Sequence, residues 1–87
     1  MNYRIDFSNL GAKDLELVKK SSLKKKAFKI LSILENDPYS PKFEKLSGNL
    51  KNAYSRRLNQ QHRIVYEIRE DEKVVNILSM WTHYEKL

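Results

Sequence analysis

The sequence predicts an α+β domain in which one antiparallel sheet carries two helices packed on one face. Three observations point there. An alternating stretch, YRIDF at residues 3–7, opens the chain; two amphipathic segments follow; and three strand-like runs fill the C-terminal part. The order β-α-α-β-β-β ends in a meander, and one sheet face pressed on two apolar helix stripes is the simplest way to bury both. Residues 1–87 read as a single domain, with 85–87 as a tail and Lys86-Leu87 resembling a cloning remnant.

Each element has its own signal. Ser8 is placed to cap a first helix running to about Lys20, with Leu10, Leu15 and Val18 inward and Lys13, Asp14 and Glu16 outward. Gly11 weakens that helix. In "SSLKKKAFKILSILENDP", Ser21 or Ser22 caps a second helix; Leu23, Ala27, Ile30, Leu31 and Leu34 make one stripe, and Pro38 stops it. Residues 37–52 hold both prolines and one of the two glycines, and read as a loop pinned to the core by Phe43, Leu46 and Leu50. The runs AYSRRL, RIVYEIR and VVNILSMWTHY are the last three strands, the final two joined by the charged turn EDEK.

Composition narrows the function. With 17 Lys+Arg against 11 Asp+Glu, the net charge of +6 favours a polyanionic partner (nucleic acid, an anionic membrane surface or an acidic protein) over ordinary surface charge. Cysteine is absent, which excludes disulfides and thiolate metal sites. No apolar run is long enough for a signal peptide or a membrane span, so the expectation is a soluble cytoplasmic protein without a membrane partner. Two histidines and no acidic cluster at ligand spacing leave no metal site, and Gly11 and Gly48 form no phosphate-cradling loop. An enzyme built here works with side chains alone and no cofactor.

The densest chemistry lies in "AYSRRLNQQHRIVYEI", residues 53–68. Along the middle strand Ile64, Tyr66 and Ile68 are expected to face the helices and Arg63, Val65 and Glu67 the other way. An odd-numbered loop sets Arg57 opposite or diagonal to Arg63, a like-charge pairing that costs from some tenths to about 1 kcal/mol. Two readings fit. The guanidinium forks can share one phosphate, or one arginine pairs with Glu67 or a loop carboxylate on a solvated surface. Arg56 is expected to face away, in a salt bridge or at an edge, and His62 to be a polar turn residue. Glu44 by itself is an ordinary loop glutamate. His83 ends the last strand beside Tyr84. RNA gives side chains alone a route to cleavage: a carboxylate takes the 2′-OH proton, arginines neutralise the phosphorane, and a histidine donates to the 5′-oxygen. Lysines 19, 20, 24, 25, 26 and 29 form either a solvated helix face or a cationic surface for ribosomal RNA.

The segment "FEKLSGNLKNAYSRRLNQQHRIVYEI", followed by the terminal His83-Tyr84, resembles the YoeB/Txe branch of the RelE superfamily of toxins. YSRRL, QHRIVY and the final HY carry most of the likeness, and the RelE/ParE-like fold has the same element order. The resemblance implies a toxin of a type II toxin–antitoxin module: a ribosome-dependent endoribonuclease that cleaves mRNA in the A site without metal and stops translation. It places Glu44 on the general base, Arg63 on the transition-state arginine, His83 on the general acid and Arg57 on a second phosphate-binding arginine. Tyr84 falls on the terminal tyrosine that holds the mRNA. Two positions depart from the pattern, Ser47 for a lysine and Gln61 for a glutamate; Lys45 or Lys51 could supply the missing cation. The implied partners are an acidic antitoxin of the Phd/YefM type, the ribosome with its mRNA, and operator DNA reached through the antitoxin. The choice between monomer and homodimer stays open. The alternative is a non-catalytic member of the superfamily, a ParE-like gyrase inhibitor or a degenerate toxin kept as a co-repressor.

Overall fold

The chain folds as β1 (Arg4–Phe7), α1 (Asn9–Lys19), α2 (Lys24–Asn36), β2 (Glu44–Lys45), β3 (Ala53–Arg57), β4 (Arg63–Arg69) and β5 (Val74–Ser79), in a computed structural model that describes residues 2–40, 43–45 and 53–81. The strands make one five-stranded sheet in the order β1-β5-β4-β3-β2. β2 to β5 are an antiparallel meander, and β1 adds in parallel to the free edge of β5, with Arg4 opposite Val74 and Phe7 opposite Ile77. The expected order is present, with two differences. Glu44 and Lys45 form a two-residue edge strand inside the expected loop, and the first strand lies parallel to its neighbour rather than antiparallel. Leu46, Leu50 and the tail 85–87 lie outside the described residues.

The helices cover one sheet face. Val18 of α1 and Ala27, Ile30, Leu31 and Leu34 of α2 pack on Ile64, Tyr66, Ile68, Val75 and Ile77. On the opposite face Ala53 and Val65 form a smaller buried cluster with Leu78. A bulge lets β5 serve both: Val65 pairs with Ser79 but Tyr66 with Ile77, so Leu78 is the extra residue. The insertion resets the alternation, and Met80 joins Ile77 in the helix-side core.

Helix α1 departs most from its sequence reading. Ser8 is its cap, as expected, accepting from Gly11 N at 3.0 Å, and the same hydroxyl donates to Leu78 O at 3.0 Å. Gly11 is what lets the helix sit so close to β5, because a Cβ there would stand 2.2 Å from the Ile77 carbonyl oxygen. Asp14, expected outward, is buried; its Oδ2 accepts from Met80 N at 3.0 Å and Trp81 N at 3.3 Å. Leu10, expected inward, is 38% exposed instead. The whole helix is thus rolled so that its smallest residue and one carboxylate face the end of β5.

Helix α2 begins one step later than the serines suggest. Leu23 occupies the cap position without a side-chain bond, while Ser21 Oγ accepts from Leu23 N and donates to Val18 O, closing the turn between the helices. Asn36 is the last helical residue, and Pro38, fully buried, lies just beyond it. At the far end, the Glu70 carboxylate accepts from Tyr3 Oη at 2.9 Å and Tyr39 Oη at 2.8 Å and pairs with Lys73, whose φ of 55° turns the chain into β5. The Lys73, Tyr39 and Tyr3 hydrogen bonds hold the Glu70 carboxyl down at about 2, against an ordinary 4.5.

Two predictions follow from these contacts. At an open helix site, replacing glycine by alanine would stabilise by up to about 1 kcal/mol; here Gly11→Ala drives a methyl into a backbone carbonyl and should destabilise by roughly 1–3 kcal/mol. Urea unfolding gives the sign directly, and an unchanged or raised midpoint contradicts the close approach. Because the folded-state pKa of Glu70 is depressed, its contribution to stability is present above about pH 4.5 and is lost as the pH falls toward about 2. Glu70→Gln should therefore flatten the acid limb of the stability profile between those values, and an identical limb would place Glu70 outside the folding linkage.

Candidate active site

The register of the β3–β4 hairpin decides which side chains meet. Five residues, 58–62, join the strands, and Asn59 Oδ1 organises them by accepting from Gln61 N at 2.8 Å and His62 N at 2.7 Å. Leu58 N donates to His62 O at 2.8 Å, and the next pair along the ladder is Arg57 opposite Arg63. Behind them Tyr54 lies opposite Tyr66, their rings stacked 6.0 Å apart. A slip of one residue would break the ring pair and send the arginines to different faces.

β2 brings the carboxylate. Glu44 pairs with Ser55, so it shares the face of Arg57 and Arg63. Arg63 Nη1 donates to Glu44 Oε1 at 2.8 Å and to Ser55 Oγ at 3.3 Å, and Arg57 Nε stands 3.9 Å from the same Glu44 oxygen. One carboxylate oxygen therefore lies between two guanidinium groups, which offsets their repulsion. Of the two sequence readings, pairing with a loop carboxylate is present, and its acid is Glu44 rather than Glu67. Glu67 is taken by Arg69 at 2.9 Å and by Asn76 at 3.1 Å. The Arg63 side chain is 16% exposed, whereas those of Arg57 and Glu44 are more than half exposed, so the cluster has a fixed back and an open front.

Other expected residues are placed differently. Lys45 pairs with Tyr54 and turns, by alternation, to the face opposite Glu44. Gln61 is exposed in the hairpin loop, bonded through its backbone to Asn59. Ser47, Lys51, His83 and Tyr84 lie outside the described residues. Arg56, expected in a salt bridge or at an edge, is not at an edge and has no salt bridge among the described residues. It sits on an interior strand with 7% exposure, and its Nη1 donates to Ser40 O at 3.3 Å and Ser40 Oγ at 3.2 Å. The Tyr66 hydroxyl beside it is buried and pushed up to about 12 by that burial, against the opposing pull of Arg56, so it stays neutral and supplies no counter-charge.

His62 is the residue that the sequence undervalued. Expected as a plain turn residue, it stacks on Trp81 with ring centroids 4.0 Å apart, and its Nδ1 lies against the Trp81 carbonyl oxygen. Asp14 holds the backbone of the same Trp81 from the helix side. The end of β5 is thereby clamped beside the hairpin that carries Arg63. Neither signal was visible in one dimension, because the partners are 19 and 67 residues apart. Among the described residues no three His, Asp or Glu side chains converge as metal ligands, and no helix is long and apolar enough to cross a membrane.

The family model for the YoeB-like toxin of bacterial type II toxin-antitoxin system matches residues 7–84. Toxin YoeB of Mycobacterium bovis is 36% identical over 58 residues, a stretch that covers 64% of this chain and 66% of that protein. The match thus spans just under two thirds of that relative's length. The solved YoeB dimer from Staphylococcus aureus shares the fold with a TM-score of 0.81 at 29% identity, covering 97% of this chain and 100% of that one. The YoeB-YefM complex from the same organism gives a TM-score of 0.78 at 29% identity, with the same coverage of both chains. Matched from Phe7 to Tyr84 by the family model and along nearly its full length by a solved fold, the chain belongs to the YoeB-like toxins of bacterial type II toxin–antitoxin systems.

Proposed function

We propose that this chain is a ribosome-dependent endoribonuclease that cleaves mRNA in the A site and so blocks translation. The observation that carries the reading is the Glu44 carboxylate set between Arg63 at 2.8 Å and Arg57 at 3.9 Å on one sheet face. A phosphodiester entering there takes over the arginine forks, since it offers several anionic oxygens where Glu44 offers one. Glu44, released from Arg63, accepts the 2′-OH proton. The 2′-oxygen bonds to phosphorus, Arg57 and Arg63 stabilise the charge on the phosphorane, and His83 gives its proton to the departing 5′-oxygen. The products are a 2′,3′-cyclic phosphate and a free 5′-OH, and no step needs a metal ion. Trp81 supports the role of His83: it is clamped at the hairpin by His62, and the two residues from it to His83 span at most roughly 7 Å. Tyr84 is assigned to stacking on an mRNA base and Lys51 to an auxiliary phosphate contact, a role that Lys45 does not share because it faces away from Glu44.

The partner we assign is an acidic antitoxin of the Phd/YefM type, an assignment supported by the net charge of +6 and by the relative solved in complex with YefM. Operator DNA is reached through that antitoxin, and a homodimer is the assembly to look for, given the dimer of the S. aureus relative. A cytoplasmic location follows from a ribosomal target, and residues 1–87 are assigned to one toxin domain.

The test is a pre-assembled complex of ribosome and mRNA, treated with the purified protein in EDTA and followed by mapping of new 5′ ends. Cleavage within the A-site codon with a 2′,3′-cyclic end is expected. Glu44→Gln and His83→Gln should each lower the rate by about 10²–10⁴-fold with the fold and antitoxin binding retained. Arg63→Ala should cost roughly 10²–10³-fold. Translation arrest without cleavage, or wild-type cleavage by Glu44→Gln, would overturn the mechanism.

A further inference from the structure

Beside the arginine pair, a cavity of about 770 Å³ opens between α2 and the β2–β3 end of the sheet. Lys25, Lys26 and Lys29 of α2 line one wall, and Arg56 and Arg57 line the other. Among the described residues Glu44 is the only acid in the lining, and its carboxylate is already bonded to Arg63. Ile30, Ile33 and Phe43 supply apolar surface, and Phe43 is tilted against Tyr54 at 5.3 Å. Arg56 is more than nine-tenths buried, yet its guanidinium donates to the carbonyl and hydroxyl of Ser40, and among the described residues it has no carboxylate. A buried guanidinium with neutral partners alone is costly to hold and strongly prefers an anion nearby.

Resting on the nuclease reading above, we infer that this cavity is a subsite for the nucleotide adjoining the scissile phosphate of a single-stranded RNA, its phosphate on Lys25, Lys26, Lys29 and Arg56 and its base on Phe43 and the two isoleucines. Three features favour RNA over an acidic peptide. The cavity shares Glu44 and Arg57 with the cleavage site, so a strand held there continues into it without a gap. Its size is that of a small-ligand pocket rather than of an extended docking face. Cations along the walls over an aromatic and aliphatic floor match an anionic backbone carrying flat apolar rings. The subsite sets which neighbour of the cleaved bond the protein grips, and it binds without reading hydrogen-bond patterns on the base.

The test uses the full chain and an mRNA blocked by a 2′-deoxy nucleotide at the cleavage position, with 4-thiouridine on either side of it, both free and in the ribosomal A site. Ultraviolet crosslinks to Phe43 or to residues 25–33 are expected from one of the two sides. In the variant Lys25→Glu/Lys26→Glu/Lys29→Glu, whose three positions are exposed and should leave the fold intact, binding should weaken about tenfold or more and lose part of its salt dependence. Phe43→Ser should reduce the crosslink severalfold with a smaller loss of affinity. Crosslinks confined to other surfaces, with unchanged binding by the triple variant, overturn the subsite. So does a triple variant that binds RNA normally and loses only a YefM-type antitoxin or a ribosomal RNA contact. If unblocked RNA is never cut while the crosslinks persist, the nuclease reading falls and the subsite stands.

Discussion

Two arginines directly opposite each other on neighbouring strands, with one carboxylate between them, are the constraint around which this fold is arranged. The repulsion of such a pair is worth up to about 1 kcal/mol, and an exposed ion pair like that of Glu44 returns about 0–1 kcal/mol. The two nearly cancel. The cluster is therefore tolerable as it stands and held together only weakly, so a group with more negative charge can displace Glu44 at small cost. What is not weak is the placement of the arginines, which the hairpin register dictates through the Asn59-centred turn and the Tyr54–Tyr66 ring pair. Donors fixed in this way lose little on meeting developing charge, which is where such sites derive their effect.

The rest of the architecture keeps the flanks of that hairpin in position. On one side, β2 holds Glu44 opposite Ser55 and Lys45 opposite Tyr54. On the other, β5 is gripped at its far end by α1: Ser8 on the Leu78 carbonyl, Gly11 against Ile77 and Asp14 on the amides of Met80 and Trp81. The bulge at Leu78 and the His62–Trp81 stack complete the connection. A helix that looks like a generic amphipathic cover thus also fixes where the chain emerges beside the arginines.

Periodicity was enough to read the layers. Ala27, Ile30, Leu31 and Leu34 repeat as a helix must, and Ile64, Tyr66 and Ile68 alternate as a strand must, and both sets are in the core. The same alternation with an odd loop put Arg57 opposite or diagonal to Arg63, and the ladder makes it opposite. What stayed illegible depended on distant partners. Asp14 reads as an outward residue because helix position and charge agree on that, and only the two orphan amides at the end of β5 reverse it. Gly11 reads as a defect because nothing nearby in sequence reveals the Ile77 carbonyl. β2 escaped notice because two residues carry no period, although they set Glu44 beside the two arginines. Arg56 read as a salt-bridged or edge residue and lies buried on Ser40.

The excess of positive charge is positional. Away from the site, four cations have an acid of their own among the described residues: Arg4 with Asp6, Lys19 with Glu16, Arg69 with Glu67 and Lys73 with Glu70. At the junction of α2, β2 and β3, five cations line a cavity, and among the described residues they share a single carboxylate, Glu44, already engaged by Arg63 and Arg57. Net charge alone would have suited a diffuse electrostatic surface, attractive to any polyanion and selective for none. Charge left uncompensated at one end, next to a rigid arginine pair and over an apolar floor, does more than attract. Under the subsite proposal, it offers an anionic strand cations on both cavity walls that lead on to Glu44 and Arg57.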